Sequence, residues 1–267
     1  MLLSVHLLPE SSRADVVVVI DVLRFTSSAA YALANGARSI IPCTTVDDAR
    51  SAVPGLPSAL LAGERNAVKP DGFDLGNSPR EFTSAVVQGR DIIWTTTNGT
   101  TAIAAAGAAG VFPIPLRSAS TRSPSPSPRT PHSAPSQSLP RDLILASYVN
   151  CAVVVAALEF ELRAGASIAV VCSGREGGFA LEDAACAGRL VRRLRASAGD
   201  VLILNDGARA SACIDEAYGE DFPRLFRDAQ HGRFLRDRGF GADLEACGAL
   251  DAVRVVPRAR RGRFVAG

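Results

Sequence analysis

Basic charge in this chain is carried by arginine almost alone: of 29 lysines and arginines, Lys69 is the single lysine. Aromatic residues make up only 6% of the 267 positions, and tryptophan occurs once. No two of the six cysteines (Cys43, Cys151, Cys172, Cys186, Cys213, Cys247) stand as Cys-x-x-Cys. That spacing excludes a zinc knuckle or a dithiol redox motif, and buried free thiols are expected. No apolar run reaches the length of a membrane span. The amino-terminal stretch does not combine a charged start, a long apolar segment and a small-residue cleavage site, so a cytoplasmic protein is expected. A net charge of +2 carries no signature of nucleic-acid or membrane binding. A homo-oligomer stays open.

What is present is an alternating pattern. "VVVVIDV" (16–22) is a continuous β-branched run, as in a strand buried on both faces. "TSSAAYALANG" then reads as a short capped helix, "RSIIPC" as a strand, "TVDDARSAV" as a helix and "SALLAG" as a strand. A long polar loop, "ERNAVKPDGFDLGNSP", precedes the strand "DIIWT" and a helix over 99–108. The pattern resumes with "DLILA", the alanine-rich helix after "SYVN", the strand "ASIAVVCSG" and the amphipathic helix "ALEDAACAGRLVRRLRA". Short helices dominate from about Asn205, and "AVRVVP" reads as a closing strand. No internal repeat is visible. The fold class is α/β: a layered sandwich with a largely parallel central sheet, helices on both faces and a helical C-terminal part.

Residues 117–141 break this order. The segment is rich in serine and proline, has no carboxylate and little apolar content, and is expected to be a disordered insertion. It divides the core into a first part, 1–116, and a second, 142–267.

Ligands of open α/β sheets sit beyond the carboxyl ends of the strands. The first strand ends in Asp21, with Arg24 and Thr26 after it; the third in Gly63, Glu64 and Arg65, with Lys69, Asp74, Asn77 and Ser78 in its loop. "TTTNGTT" follows the fourth, and Ser147 and Asn150 follow "DLILA". Ser173, Gly174 and Arg175 follow the "VVC" strand, with Glu182 and Asp183 on the next helix. Thr97, Asn98, Gly99 and Thr100 would aim N–H groups and hydroxyls at one spot, forming an anion cradle or simply capping a helix. This run lacks the spacing of a Walker loop. Asp21 either holds Mg²⁺ or attacks phosphorus, or it caps the helix or pairs with Arg24. The Asp-x-Asp-x-Thr nucleophile pattern is absent, since Leu23 stands where its second acid is required. Arg65 offers a planar fork for an oxyanion and Lys69 a compact charge. Arg175, Glu182 and Asp183, taken singly, also suit a surface ion pair and a solvated first helical turn. His132 lies in the Ser/Pro stretch; His6 and His231 are isolated. None is read as a base, and His231 is taken to order the final helices.

Together, "VVVVIDVLRFTSSAAYALANGARSIIP", "LLAGERNAVKPDGFDLGNSPREFT", "TTTNGTTAI", "ASYVNCAVVV" and "CSGREGGFALEDAACAG" resemble the 2-phosphosulfolactate phosphatase family, in its order. The resemblance runs from Asp15 to "HGRFLRDRGFGADLEAC", the insertion apart. It implies a Mg²⁺-dependent phosphatase acting on a small polyanionic ester, (2R)-2-phospho-3-sulfolactate, in a step toward coenzyme M. On that reading Asp21, Glu64 and Asp183 are the catalytic candidates, and Asp21 and Asp74 the metal ligands. Arg24, Arg65, Lys69, Thr97, Asn98, Gly99, Thr100 and Arg175 would hold the substrate's anionic groups. The family carries a basic residue where this chain has Thr101, which weakens one anion contact. Two alternatives stay open: a phosphatase of another small phosphorylated hydroxy acid, and a non-catalytic anion-binding paralogue.

Overall fold

The structure is a computed structural model, and it describes residues 1–106 and 140–267. The Ser/Pro-rich segment, but for Pro140 and Arg141, lies outside the described residues, as does the end of the helix expected over 99–108.

Ten strands form one sheet among the described residues. They are β1 (Leu2–His6), β2 (Val16–Ile20), β3 (Ser39–Pro42), β4 (Leu60–Gly63), β5 (Asp91–Thr95), β6 (Asp142–Ala146), β7 (Ile168–Cys172), β8 (Ile203–Leu204), β9 (Pro257–Arg260) and β10 (Arg263–Ala266). Their order is β4-β5-β3-β10-β9-β6-β2-β7-β1-β8. Two parallel blocks, β4-β5-β3 and β6-β2-β7-β1-β8, flank the antiparallel hairpin β9-β10. The closing strand expected from "AVRVVP" begins only at Pro257 and turns back on itself. β1 and β8 were not legible as strands: β1 alternates buried and half-exposed positions, and β8 is two residues at the sheet edge.

Each border of the hairpin is a single paired position, Phe264 with Ile40 on one side and Arg258 with Ile144 on the other. Three successive antiparallel pairings reverse the direction of one block relative to the other. Segments following the carboxyl ends of β2 and β7 in one block and of β4 and β5 in the other nevertheless line one cleft, described below.

Helices cover both faces. In β2, Val16, Val18 and Ile20 pack with one apolar cluster and Val17 and Val19 with the other, the period of two that a strand imposes. The first cluster includes α5 (Cys151–Arg163), α6 (Leu181–Ala198) and α7 (Asp206–Tyr218). It also takes in the short C-terminal helices α8 (Phe222–Asp228), α9 (Gln230–Asp237) and α10 (Gly241–Gly248). The second includes α1 (Phe25–Ala34) and α4 (Gly99–Ala105). Helix α2 (Val46–Ala52), with its Thr45 capping box, packs on β3 and β5 from the opposite side, and α3 (Ser84–Val87) is one turn. Trp94 anchors the second cluster, stacked on Phe82 at 4.3 Å and edge-on to Phe25 at 5.4 Å. All six cysteines are free; five are buried as expected, but Cys213 on α7 is exposed. Among the described residues no helix is long and apolar enough to cross a membrane.

Candidate active site

The cleft lies where four loops and α9 converge. Its empty space, open solvent at the mouth included, is about 420 Å³. Its wall takes Asp21, Leu23 and Arg24 from the end of β2, and Glu64, Asn66, Ala67 and Asn77 from the loop after β4. Thr97 and Asn98 enter from the start of α4, Arg175 and Glu176 from the turn after β7, and His231, Phe234 and Leu235 from α9.

Each element is fixed by local chemistry. The hydroxyls at the start of α1 lie inside its first turn rather than capping it, because the helix begins at Phe25 with Arg24 ahead of it. Thr26 Oγ1 donates to the Asp21 carbonyl and accepts from the Asp21 N–H. Ser27 donates to the Val22 carbonyl, and Ser28 to that of Asn77. These bonds lock the approach to Asp21. The Leu23–Arg24 peptide is cis.

Two hairpin turns of one kind follow β4 and β7. Arg65 and Val68 exchange both backbone hydrogen bonds around Asn66 and Ala67, at φ 53° and 67°. Arg175 and Gly178 do the same around Glu176 and Gly177, at φ 52° and 77°. Positive φ at both central residues marks the tight primed turn. It presents residues of each turn to the cleft.

The hydroxyl-rich entry to α4 serves mostly itself. Thr96 and Thr100 exchange hydrogen bonds, and Thr101 Oγ1 donates to the Thr97 carbonyl. The Thr97 N–H goes to Glu64 Oε1 at 2.8 Å, and Asn98 Oδ1 accepts from Glu176 N–H. Gly99 is required by space: a Cβ there would stand 2.6 Å from Asp21 Oδ2 and 2.5 Å from the Phe25 ring.

The acids gather around Asp21. Its side chain is 5% exposed, and its Oδ1 accepts weakly from Phe25 N–H at 3.4 Å. Burial, reinforced by the carboxylates of Glu64 and Glu182 and opposed by His231, raises its pKa to about 6. Glu64 Oε2 accepts from Ala67 N–H at 2.9 Å, so this carboxylate staples the first turn to the α4 entry. Asp183 is buried behind the wall and accepts from Val22 N–H, Ser173 Oγ and Gly174 N–H, binding the ends of β2 and β7 together. Burial first, then Glu182 and Asp21, push its pKa well above the usual carboxylate range. Glu182 is 1% exposed, with Oε1 3.2 Å from His231 Nδ1 and Oε2 buried without a partner.

Among the cations, Arg24 is sealed in: it pairs with Asp243 of α10 at 2.6 Å and lies over the Phe240 ring. Arg175 rests on the Phe234 ring, 4.2 Å from its centroid, with the exposed Glu176 as its ionic neighbour.

The sequence-derived candidates therefore separate. Asp21, Arg24, Glu64, Thr97, Asn98 and Arg175 line the cleft, with Gly99 directly against Asp21. Thr100 and Asp183 are buried behind it. Arg65 turns away to the Thr95 hydroxyl and the carbonyls of Glu64 and Thr44. Lys69 is exposed and donates to the Asp74 carbonyl, while the Asp74 carboxylate accepts from Leu61 N–H. Neither Lys69 nor Asp74 lines the cleft, although Asn77 further along the same loop does. Ser147 and Asn150 are interior: Ser147 meets Ser27, and Asn150 bonds the Leu145 and Val255 carbonyls. The solvated-turn reading fails for Glu182, which is buried. His231, read as ordering the final helices, stands on the cleft wall 49 positions from its partner, beyond any local spacing signal.

Among the described residues no three His, Cys, Asp or Glu side chains form a ready cage for a metal. The cleft does offer oxygen donors of the kind a hard cation takes: the carboxylates of Asp21 and Glu64, and Asn77 Oδ1, an acceptor buried without a donor. Mg²⁺ is commonly held by one or two carboxylates with substrate and water completing its shell, so these residues fit it.

Comparison with known proteins identifies the family of the chain. The family described as 2-phosphosulpholactate phosphatase matches residues 2–113 and 131–262. A Thermotoga petrophila protein named "Probable 2-phosphosulfolactate phosphatase" is 35% identical over 93% of this chain and 90% of its own. Proteins of the same name from Pseudothermotoga lettingae and Deinococcus radiodurans are each 34% identical, over 99% and 100% of this chain and 98% and 100% of theirs.

Proposed function

This chain belongs to the 2-phosphosulpholactate phosphatase family, whose reaction is hydrolysis of a phosphoric monoester, and we propose that it hydrolyses (2R)-2-phospho-3-sulfolactate with Mg²⁺. The products would be 3-sulfolactate and phosphate, formed in the cytoplasm on the way to coenzyme M. One observation carries the reading: two buried carboxylates, Asp21 and Glu64, share a small cleft with Arg175 and the entry of α4.

Asp21 and Glu64, with Asn77 Oδ1, would hold the ion. Bound there, Mg²⁺ would neutralise phosphoryl oxygens and acidify a coordinated water. Arg175 presents a planar fork to an oxyanion, and the Phe234 ring beneath fixes its plane. The Thr97 hydroxyl and the Asn98 amide supply uncharged donors on the same wall. Glu64, anchored by two backbone N–H groups, keeps the first turn and the α4 entry in register as substrate binds. Phe234 and Leu235 of α9 form the cleft's apolar side.

Phosphate release from 2-phospho-3-sulfolactate, followed with Mg²⁺ and with EDTA, tests this directly. Turnover should appear with Mg²⁺ and vanish on chelation. Undiminished turnover in EDTA would overturn the metal assignment. Equal kcat/KM for 2-phospholactate would replace the sulfonate-bearing substrate with a simpler phosphorylated hydroxy acid.

A further inference from the structure

We propose that His231 is the general acid of this phosphatase, protonating the oxygen that leaves phosphorus, and that Glu182 is its positioning residue; the assignment rests on the phosphatase reading above. A phosphate ester of an aliphatic hydroxy acid has an alkoxide as its leaving group, which departs poorly without a proton. The titratable groups on the cleft wall are Asp21, Glu64, Glu176, Arg24, Arg175 and His231. Asp21 and Glu64 are given to the cation. Arginine does not surrender a proton in proteins. The Glu176 side chain is 63% exposed and turned toward Arg175. His231 remains.

Its setting suits the task. Glu182 Oε1 lies 3.2 Å from His231 Nδ1. In the proposed arrangement Nδ1 carries the proton and donates to the Glu182 carboxylate, which as an ion only accepts. Among the described residues Glu182 has no other hydrogen-bond or ionic partner, and its second oxygen is sealed from water without one. In the first turn of α6 such a carboxylate has the helix N-terminus and the imidazole to compensate its burial, and only the imidazole bonds it. Nε2 has no hydrogen-bond partner among the described residues, and the ring lines the cleft. The ring is held by α9, whose Leu235 is fully buried and whose Gly232 packs against the Phe226 carbonyl.

The step balances. As the bond between phosphorus and the ester oxygen breaks, its electron pair passes to that oxygen, which takes the proton from Nε2. The electron pair of that N–H bond stays on the ring, and Nδ1–H remains on Glu182. Phosphorus gains the oxygen of water, and the proton that water loses restores Nε2 through solvent. No redox partner is needed.

The test compares two esters with Mg²⁺ present: 2-phospho-3-sulfolactate, and p-nitrophenyl phosphate, whose phenolate leaves without a proton. His231→Gln should lower kcat for the aliphatic ester about 10²- to 10⁴-fold. It should lower turnover of the aryl ester by less than about tenfold. Free imidazole should restore part of the aliphatic turnover to His231→Ala, and Glu182→Gln should lower kcat with KM unchanged. Circular dichroism and thermal melts confirm that each variant folds. An equal fall with both esters, or no rescue in a folded His231→Ala, overturns the general-acid role while leaving the phosphatase reading intact. Absence of turnover of either ester by the unsubstituted protein overturns the phosphatase reading, and this assignment with it.

Discussion

Asp21 follows a strand whose five residues are all buried, and it carries a carboxyl group into surroundings that disfavour charge. Below about pH 4 this group is protonated in the folded and the unfolded chain alike. Between there and its folded value of about 6 the unfolded chain ionises first, so stability falls as pH rises and the loss is complete above that point. The climb from 3.8 to about 6 corresponds to about 3 kcal/mol at most. Asp21→Asn should therefore raise the melting temperature of metal-free protein at pH 7 but not at pH 4, while abolishing turnover. Melts in EDTA at the two pH values check the first statement, and phosphate release the second. Equal shifts at both pH values would mean that the carboxylate is not strained by its burial. Gly99 belongs to the same arrangement, since the absence of its side chain is what admits the Asp21 carboxylate to its place.

Helix α9 gives the cleft wall His231, Phe234 and Leu235, and α10 packs against α9. Asp243 of α10 accepts from Arg24 and from Ser78 Oγ, tying the helices to the end of β2 and to the long loop in one buried network. Removing one member of such a pair leaves the other charge buried alone. Asp243→Ala should cost about 3–5 kcal/mol in urea unfolding, and Arg24→Met with Asp243→Leu should cost less than the single change. A double variant weaker than the single one would show that the network stabilises by more than mutual compensation. Most of this was not legible in the chain. Arg24 reads as an anion contact because it follows a strand end, yet its partner lies 219 positions away. Lys69 drew attention as the single lysine in a long loop after a strand end, yet it lies outside the cleft and donates to the Asp74 carbonyl. By contrast β2, β4, β5 and β7 were readable, because continuous apolar runs ending in Gly, Asp or Thr are local signals.

The C-terminal hairpin holds the two parallel blocks in one sheet, and sequence patterning did not disclose it. Its strands are four residues each, rich in arginine, and alternate too briefly to register. Arg258 and Arg260 pair with Asp142 at the start of β6, and Phe264, fully buried, faces Ile40 of β3. Phe264→Ala should cost about 3–5 kcal/mol, read by denaturant melts. If both blocks lose structure in a single transition, the sheet is one cooperative unit. Separate transitions would show that the hairpin is a decoration rather than a seam. The layered α/β class was legible because it needs only the alternation of elements; the order of the two blocks was not, because it depends on pairings between the first and last parts of the chain. His231 meets Glu182 only once α9 is in place, and α9 docks through Leu235 and Gly232. A polypeptide emerging from the ribosome thus holds the loops after β2, β4, β5 and β7 before the histidine that completes their wall. Until α9 is made and docked, a carboxylate destined for burial waits without the ring it is to meet.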